Sequence, residues 1–217
     1  METKTLTPGQ ERIIATAFEE WGRANYTKMS LSPIADRLDL TKPALYRHFR
    51  SKEALVTAME DLFLRDYAAM HRDFQREAAK SGVGDAVRLF IRFQFRFFLD
   101  HEYYYIFFLS QMLRPPMGGH LGIENLMDGQ IALFRRLFAA EGRPVPEAEL
   151  FTRLHFLYVS SIYIAVRVFI DCGTGYAVVP TLTGDGVREE IEKAGRFCLG
   201  GIMEDRAPAA WTTRGWR

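Results

Sequence analysis

The chain has 217 residues, 48% hydrophobic and 25% charged, and its formal net charge is only +1. That composition excludes an intrinsically disordered chain and one coated in basic charge. Its two cysteines, Cys172 and Cys198, have no zinc-like or disulfide-framework spacing, so both are expected as reduced, buried thiols.

The first ten residues contain no apolar core and do not form a secretory signal; residues 1–9 are polar and expected to be loose. Residues 10–24 read as a first helix, with Ile13, Ile14, Ala17, Phe18 and Trp21 on one face. Two short helices follow, and either Ser30 or Ser32 can cap the first of them. Ser32-Pro33 fits the rule of a cap followed by proline, and the serine that does not cap is free to bond a phosphate. Ser51 caps a long helix running to about Lys80, with Glu53 near its positive end and Leu55, Met59, Leu62 and Phe63 packing its first half. Gly82 and Gly84 mark its end.

Beyond residue 85 the pattern is almost wholly helical, without strand alternation or internal repeat. Residues 85–100 form a phenylalanine-rich helix on which Arg88, Arg92 and Arg96 make a solvated stripe, with Asp85 and Asp100 as local partners. A short, very aromatic helix covers 102–112, a Pro/Gly loop covers 114–119, and another helix covers 122–141. Gly142 to Pro146 breaks the chain. Residues 147–171 form a helix that is apolar nearly all round after His155, so it needs cover on more than one side. A loop over 173–186 leads to a last helix over 187–204. Its stripe of Val187, Ile191, Ala194, Cys198 and Ile202 is narrow, and Gly195, Gly200 and Gly201 allow close approach. The tail 207–217 holds Trp211 and Trp216 without an assignable pattern. The most apolar run, 156–170, is interrupted by Ser160, Ser161 and Arg167 and is too short to span a membrane, so the chain is expected in the cytoplasm.

The most informative stretch is 30–52, SLSPIADRLDLTKPALYRHFRSK. Leu31, Ile34, Ala35, Leu38, Leu40, Leu45 and Phe49 give two short helices one buried side each, with Asp39 in a left-handed turn between them. Thr41 caps the second helix, and Pro43 sits in its first turn. Lys42, Ala44, Tyr46, Arg47 and His48 then point outward, a small, basic and aromatic face suited to a DNA major groove. From residue 23 to residue 52, seven basic residues stand against two acidic ones, a local excess of +5 on a nearly neutral chain. Lys42 is placed to reach a guanine edge, and Pro43 and Ala44 to meet a thymine methyl or the backbone.

Leu40 to Phe49 followed by Ser51-Lys52-Glu53-Ala54-Leu55, with Ile34-Ala35 and Ala17-Phe18 upstream, resembles the helix-turn-helix signature of the tetracycline-repressor (TetR) family over roughly residues 10–65. Asp39 stands where that family usually has glycine. The resemblance implies an all-α protein of two parts. These are a helix-turn-helix domain over 1–52, joined through a helix over 52–80, and a helical ligand-binding and dimerisation domain over 53–206. It favours Ser30 as the cap. It implies that Tyr46 and His48 lie against phosphates, that Arg47 reaches base or backbone, and that Lys52 anchors a phosphate. It also implies a homodimer through the last two helices, with recognition helices roughly 34–36 Å apart on a palindromic operator in double-stranded DNA.

By the same resemblance the second domain encloses a small-molecule effector. The wall is expected from Phe93, Phe97, Tyr104, Phe108, Met112, Met127 and Tyr158, which suits a fairly apolar or aromatic ligand oriented by tyrosine hydroxyls. A ligand-blind regulator with a filled second domain is the alternative. His101, His120 and His155 are too scattered for a metal, and no cofactor is expected. The sequence has no nucleophile elbow, no phosphate-cradling glycine loop after a strand and no paired carboxylates in an apolar setting, so an all-helical enzyme is the remote reading.

Overall fold

The computed structural model describes residues 6–23, 30–112, 124–169 and 184–203. Among these residues it is entirely helical: α1 (Pro8–Arg23), α2 (Leu31–Arg37), α3 (Lys42–His48), α4 (Lys52–Ala78), α5 (Val83–Asp100), α6 (Glu102–Met112), α7 (Glu124–Ala140), α8 (Glu147–Phe169) and α9 (Gly184–Met203). The expected loop at 114–119, Cys172, His120 and the tail at 207–217 lie outside the described residues.

Local chemistry accounts for most boundaries. Thr41 Oγ1 accepts from the Ala44 N–H at 3.3 Å and Ser51 Oγ from the Ala54 N–H at 3.1 Å, so α3 and α4 start where their caps stand. Ser30, not Ser32, is the N-cap residue of α2, although its side chain makes no capping bond. Asp39 takes the left-handed turn between α2 and α3 with φ of 52°. After α7, Gly142 adopts φ of 71° and the Arg143 N–H donates to the Phe138 carbonyl at 2.9 Å, the left-handed stop that glycine permits.

Two boundaries correct the sequence reading. The segment before residue 10 is ordered from Leu6 on, because Thr7-Pro8-Gly9-Gln10 is a capping box. The Thr7 N–H donates to Gln10 Oε1 at 3.0 Å, the Gln10 N–H donates to Thr7 Oγ1 at 3.3 Å, and Pro8 opens the helix. The last helix also begins earlier than expected, at Gly184 rather than at residue 187.

Packing builds a small head from α1, α2, α3 and the start of α4, and a larger body from the rest. Ile13, Ile14, Ala17, Phe18 and Trp21 of α1 are buried, together with Leu31, Ile34, Ala35, Leu45 and Phe49. The core is continuous with that of the body because α1 lies against α6. Phe18 meets Tyr104 and Phe107 at 4.5 and 5.1 Å between ring centroids, and the Trp21 indole N–H donates to Ser110 Oγ at 3.0 Å. Helix α9 packs mainly on α5 and α8. Its Ala194, Cys198 and Ile202 are buried within the chain, and burial pushes the Cys198 thiol up to about 11. The described part of the narrow stripe, Ala194, Cys198 and Ile202, therefore faces inward. On the described outer face of α8 and α9, Val159 is 51% exposed, Phe197 is 60% exposed, and Phe156 lies 5.8 Å from Phe197. Arg88 and Arg96 pair with Asp85 and Asp100, as the solvated-stripe reading requires. Among the described residues no helix is long and apolar enough to cross a membrane.

Replacing Thr41 with alanine removes the α3 cap and is expected to cost about 1 kcal/mol. Chemical denaturation of Thr41→Ala beside the unaltered protein measures it; an unchanged midpoint removes the cap from the account of how α3 is held.

Candidate nucleic-acid interface and buried polar cluster

Helix α3 shows how a short segment presents a reading face. Leu45 is completely buried and anchors the helix on the head, so the residues around it must turn outward. Lys42, Pro43, Tyr46, Arg47 and His48 are exposed, and Ala44 is half-buried at the margin. Tyr46 keeps 47% of its surface open, which removes packing within the head as the reason for a tyrosine there. His48 is exposed but sits against the start of α1: a Cβ on Gly9 would come within 2.8 Å of its ring, and Gln10 Nε2 donates to its carbonyl at 3.4 Å. Glycine at position 9 thus lets the two elements meet. Ser30 is exposed and Ser32 half-buried at the start of α2.

Lys52 is half-buried at the first turn of α4, at the positive end of that helix, which favours an anion. Glu53 shares that turn. Its own backbone N–H, and after it the Ser51 hydroxyl, hold its carboxyl below the usual range. Arg37 leaves the basic patch, because Glu19 and Glu20 of α1 bind its guanidinium. The outward basic charge is therefore concentrated on α3 and Arg50 rather than spread over both short helices.

The residues expected to wall a ligand do not gather round one cavity. Phe93 and Phe97 line a groove of about 770 Å³ along α4 and α5, and Tyr104 lines a second of about 590 Å³ where α1, α4 and α6 meet. Tyr104 also donates to Asp66 Oδ2 at 3.0 Å, and burial followed by that carboxylate's charge raises its pKa. Phe108 is buried among Phe63, Tyr67 and Phe98 at 5.7–6.0 Å. Met127 is buried on α7, and the side chain of Met112 is outside the described residues. Of the scattered histidines, His101 stacks on Tyr104 and His155 on Phe151.

Tyr158 leads to a cluster that sequence reasoning missed. Its hydroxyl lies 3.3 Å from Nε2 of His71, whose Nδ1 is 2.8 Å from Gln130 Nε2. Beside them Tyr67 and Gln94 bond at 2.8–2.9 Å. All five side chains are buried. The available signal was the stripe Met59, Phe63, Tyr67, His71, Phe74 and Ala78, a buried face of α4 into which one histidine is set.

A match to the family model for bacterial regulatory proteins of the tetR family covers residues 13–59, the head from α1 into α4. The head is thus similar to the DNA-binding part of tetR-family regulators. The uncharacterized HTH-type transcriptional regulator YerO of Bacillus subtilis (strain 168) is 24% identical over 106 residues. That match covers 49% of this chain and only 37% of the relative's length. Among solved structures, a transcriptional regulator from Aquifex aeolicus VF5 superposes with a TM-score of 0.58 at 18% identity, over 87% of this chain and 96% of that one. A bacterial regulatory protein in the tetR family from Rhodococcus RHA1 gives 0.59 at 18% identity, over 88% and 97%. A protein of unknown function from Rhodococcus sp. RHA1 gives 0.60 at 20% identity, over 94% and 100%. At such identities the likeness establishes the fold, an N-terminal helix-turn-helix followed by a helical body.

Burial lowers the His71 imidazole to about 3. Unfolded, it takes a proton near 6.5, so its contribution to stability is complete above that value and is lost as pH falls from about 6.5 toward 3. The loss approaches 1.4 kcal/mol per pH unit, about one proton's worth. Urea midpoints of His71→Phe and of the unaltered chain between about pH 7 and pH 4 are expected to show the shallower decline in the variant. Parallel declines would mean that His71 titrates alike in both states.

Proposed function

We propose that this chain is a sequence-specific DNA-binding transcriptional regulator of the tetR kind, working as a homodimer on a palindromic operator and released by a small apolar or aromatic ligand. The single observation that carries it is the outward face of α3. A lysine, a proline, an open tyrosine and an arginine project from a helix whose only fully buried side chain is Leu45. A face without packing duties, with positive charge and small apolar contacts together, is what a major groove accepts. Lys42 reads a guanine edge, with Pro43 and Ala44 against a thymine methyl or the backbone. Tyr46, His48, Lys52 and the serines Ser30 and Ser32 hold phosphates, and Arg47 serves base or backbone.

The dimer is assigned to α8 and α9. Phe156, Val159 and Phe197 leave an apolar surface there, and a second copy related by a two-fold axis would cover it. Ala194, Cys198 and Ile202 of the narrow stripe are buried within the chain, so the interface is assigned to the exposed face of α9 that carries Phe197. A ligand that prefers the conformation with displaced heads then lowers operator affinity by its differential binding energy. The protein acts in this reading as a cytoplasmic regulator and not as an enzyme. Dense packing around Phe63, Phe107 and Phe108 supports the second reading, a regulator whose body is filled and ligand-blind.

With an operator selected from random duplexes, Lys42→Ala and Tyr46→Ala are each expected to weaken binding by about 1–3 kcal/mol in gel shifts while the dimer persists. Undiminished affinity in both variants would remove α3 from the interface. Sedimentation of Val159→Asp and Phe197→Asp is expected to show monomers with operator binding lost; intact dimers would place the two-fold axis elsewhere.

A further inference from the structure

The buried polar cluster in the body is incomplete in a way that specifies a ligand. Tyr67 and Gln94 satisfy each other, with the phenol donating to Oε1 at 2.9 Å and Nε2 donating back at 2.8 Å. The other group does not close. Gln130 Nε2 donates to His71 Nδ1 at 2.8 Å, so the neutral imidazole carries its proton on Nε2 and aims it at the Tyr158 oxygen 3.3 Å away. Two groups are then left over. Gln130 Oε1 is fully buried and has no partner among the described residues. The Tyr158 hydroxyl proton has no acceptor there either once Nδ1 is occupied. An orphaned buried acceptor is destabilising, and a core selected for stability alone would have an apolar side chain at 130.

We propose that this cluster is the polar end of a ligand site, closed in the present conformation, for a flat, uncharged aromatic molecule bearing a hydroxyl group. The proposal rests on reading the body as the effector-binding part and names the class of effector. A hydroxyl answers both leftover groups at once: it gives its proton to Gln130 Oε1 and its oxygen takes the proton of Tyr158. Charge is disfavoured. Arg153 is the one charged side chain buried among the described residues, and Glu149 and the Ile202 carbonyl already hold it, so an ion brought here would stay uncompensated. Flat aromatic shape follows from the walls, since the Tyr158 ring has Phe90 at 4.8 Å on one side and His71 nearly parallel at 5.8 Å. A route exists as well. The groove along α4 and α5 is floored by Phe93 and Phe97, whose rings lie 6.0 Å from Phe74 and 5.3 Å from Tyr67, so one layer of rings separates it from the cluster.

The test uses the full chain and four probes on one carbon frame: 2-naphthol, naphthalene, 2-naphthoate and the protonated 2-naphthylmethylamine. Titration calorimetry at about neutral pH is expected to show 2-naphthol binding about ten-fold tighter than any of the others. In Gln130→Leu that advantage over naphthalene disappears, while naphthalene itself binds as before and so reports that the variant is folded. Tyr158→Phe reduces the advantage in the same direction. Equal binding of the four probes, binding of none, or an advantage indifferent to Gln130→Leu and Tyr158→Phe would overturn the proposal and leave the orphan amide to a buried water. Operator binding is followed separately in gel shifts. Gln130-dependent binding of 2-naphthol without any effect on DNA would uphold the site and discard the regulatory reading instead.

Discussion

The head and the body of this protein are held by one aromatic junction, and the rest of the architecture depends on it. Helix α1 supplies Phe18 and Trp21, α6 supplies Tyr104 and Phe107, and α4 supplies Phe63, whose ring lies 5.6 Å from Tyr104 and 6.2 Å from Phe107. The Trp21 indole bonds Ser110, and the Ser110 hydroxyl donates in turn to the Phe107 carbonyl at 2.6 Å. A partly buried hydrogen bond placed beside interlocked rings restricts sliding as well as separation, because either movement breaks it and opens space in a dense core. The first helix of the reading head is thus seated on the body directly, and not only through the continuous α4.

That seating gives the proposed regulation a physical route. A ligand that parts the rings around Tyr67 and His71 displaces Phe97 and Phe108, and both touch Phe63 at 6.2 and 5.7 Å. From Phe63 the contact passes to Tyr104 and Phe107, and from them to Phe18 and Trp21 of α1. Packed rings have few alternative arrangements, so a displacement at one end is not absorbed gradually along the way. The polar groups in the body mark where such a displacement would start, since they are the part of the core that packing alone leaves unsatisfied.

The surface follows a related division of labour. Wherever charge is paired locally, as in Arg88 with Asp85, Arg96 with Asp100 and Arg37 with Glu19 and Glu20, it serves solvation and the joints between helices. Lys42 and Arg47 of α3 form no ion pair among the described residues, and they remain available to a phosphate-bearing surface. Arg37, held on α1, and Arg47, left outward on α3, thus have different surroundings within one short motif.

Much of the fold was legible in the sequence because it is governed by neighbours a few residues apart. Helical spacing of Ile13 to Trp21, the caps at Thr41 and Ser51, the left-handed turn at Asp39 and the stop at Gly142 are all local choices, and the outward face of α3 follows once Leu45 is buried. The capping box at Thr7 is equally local. Tertiary structure decided what pairs across long separations. Arg37 was withdrawn from the basic patch by α1, the described part of the stripe on α9 turned inward onto α5 and α8, and His71, Gln130 and Tyr158 met from three different helices. No periodicity encodes such meetings, because which face of a helix lies against which neighbour depends on how all the helices fill space together.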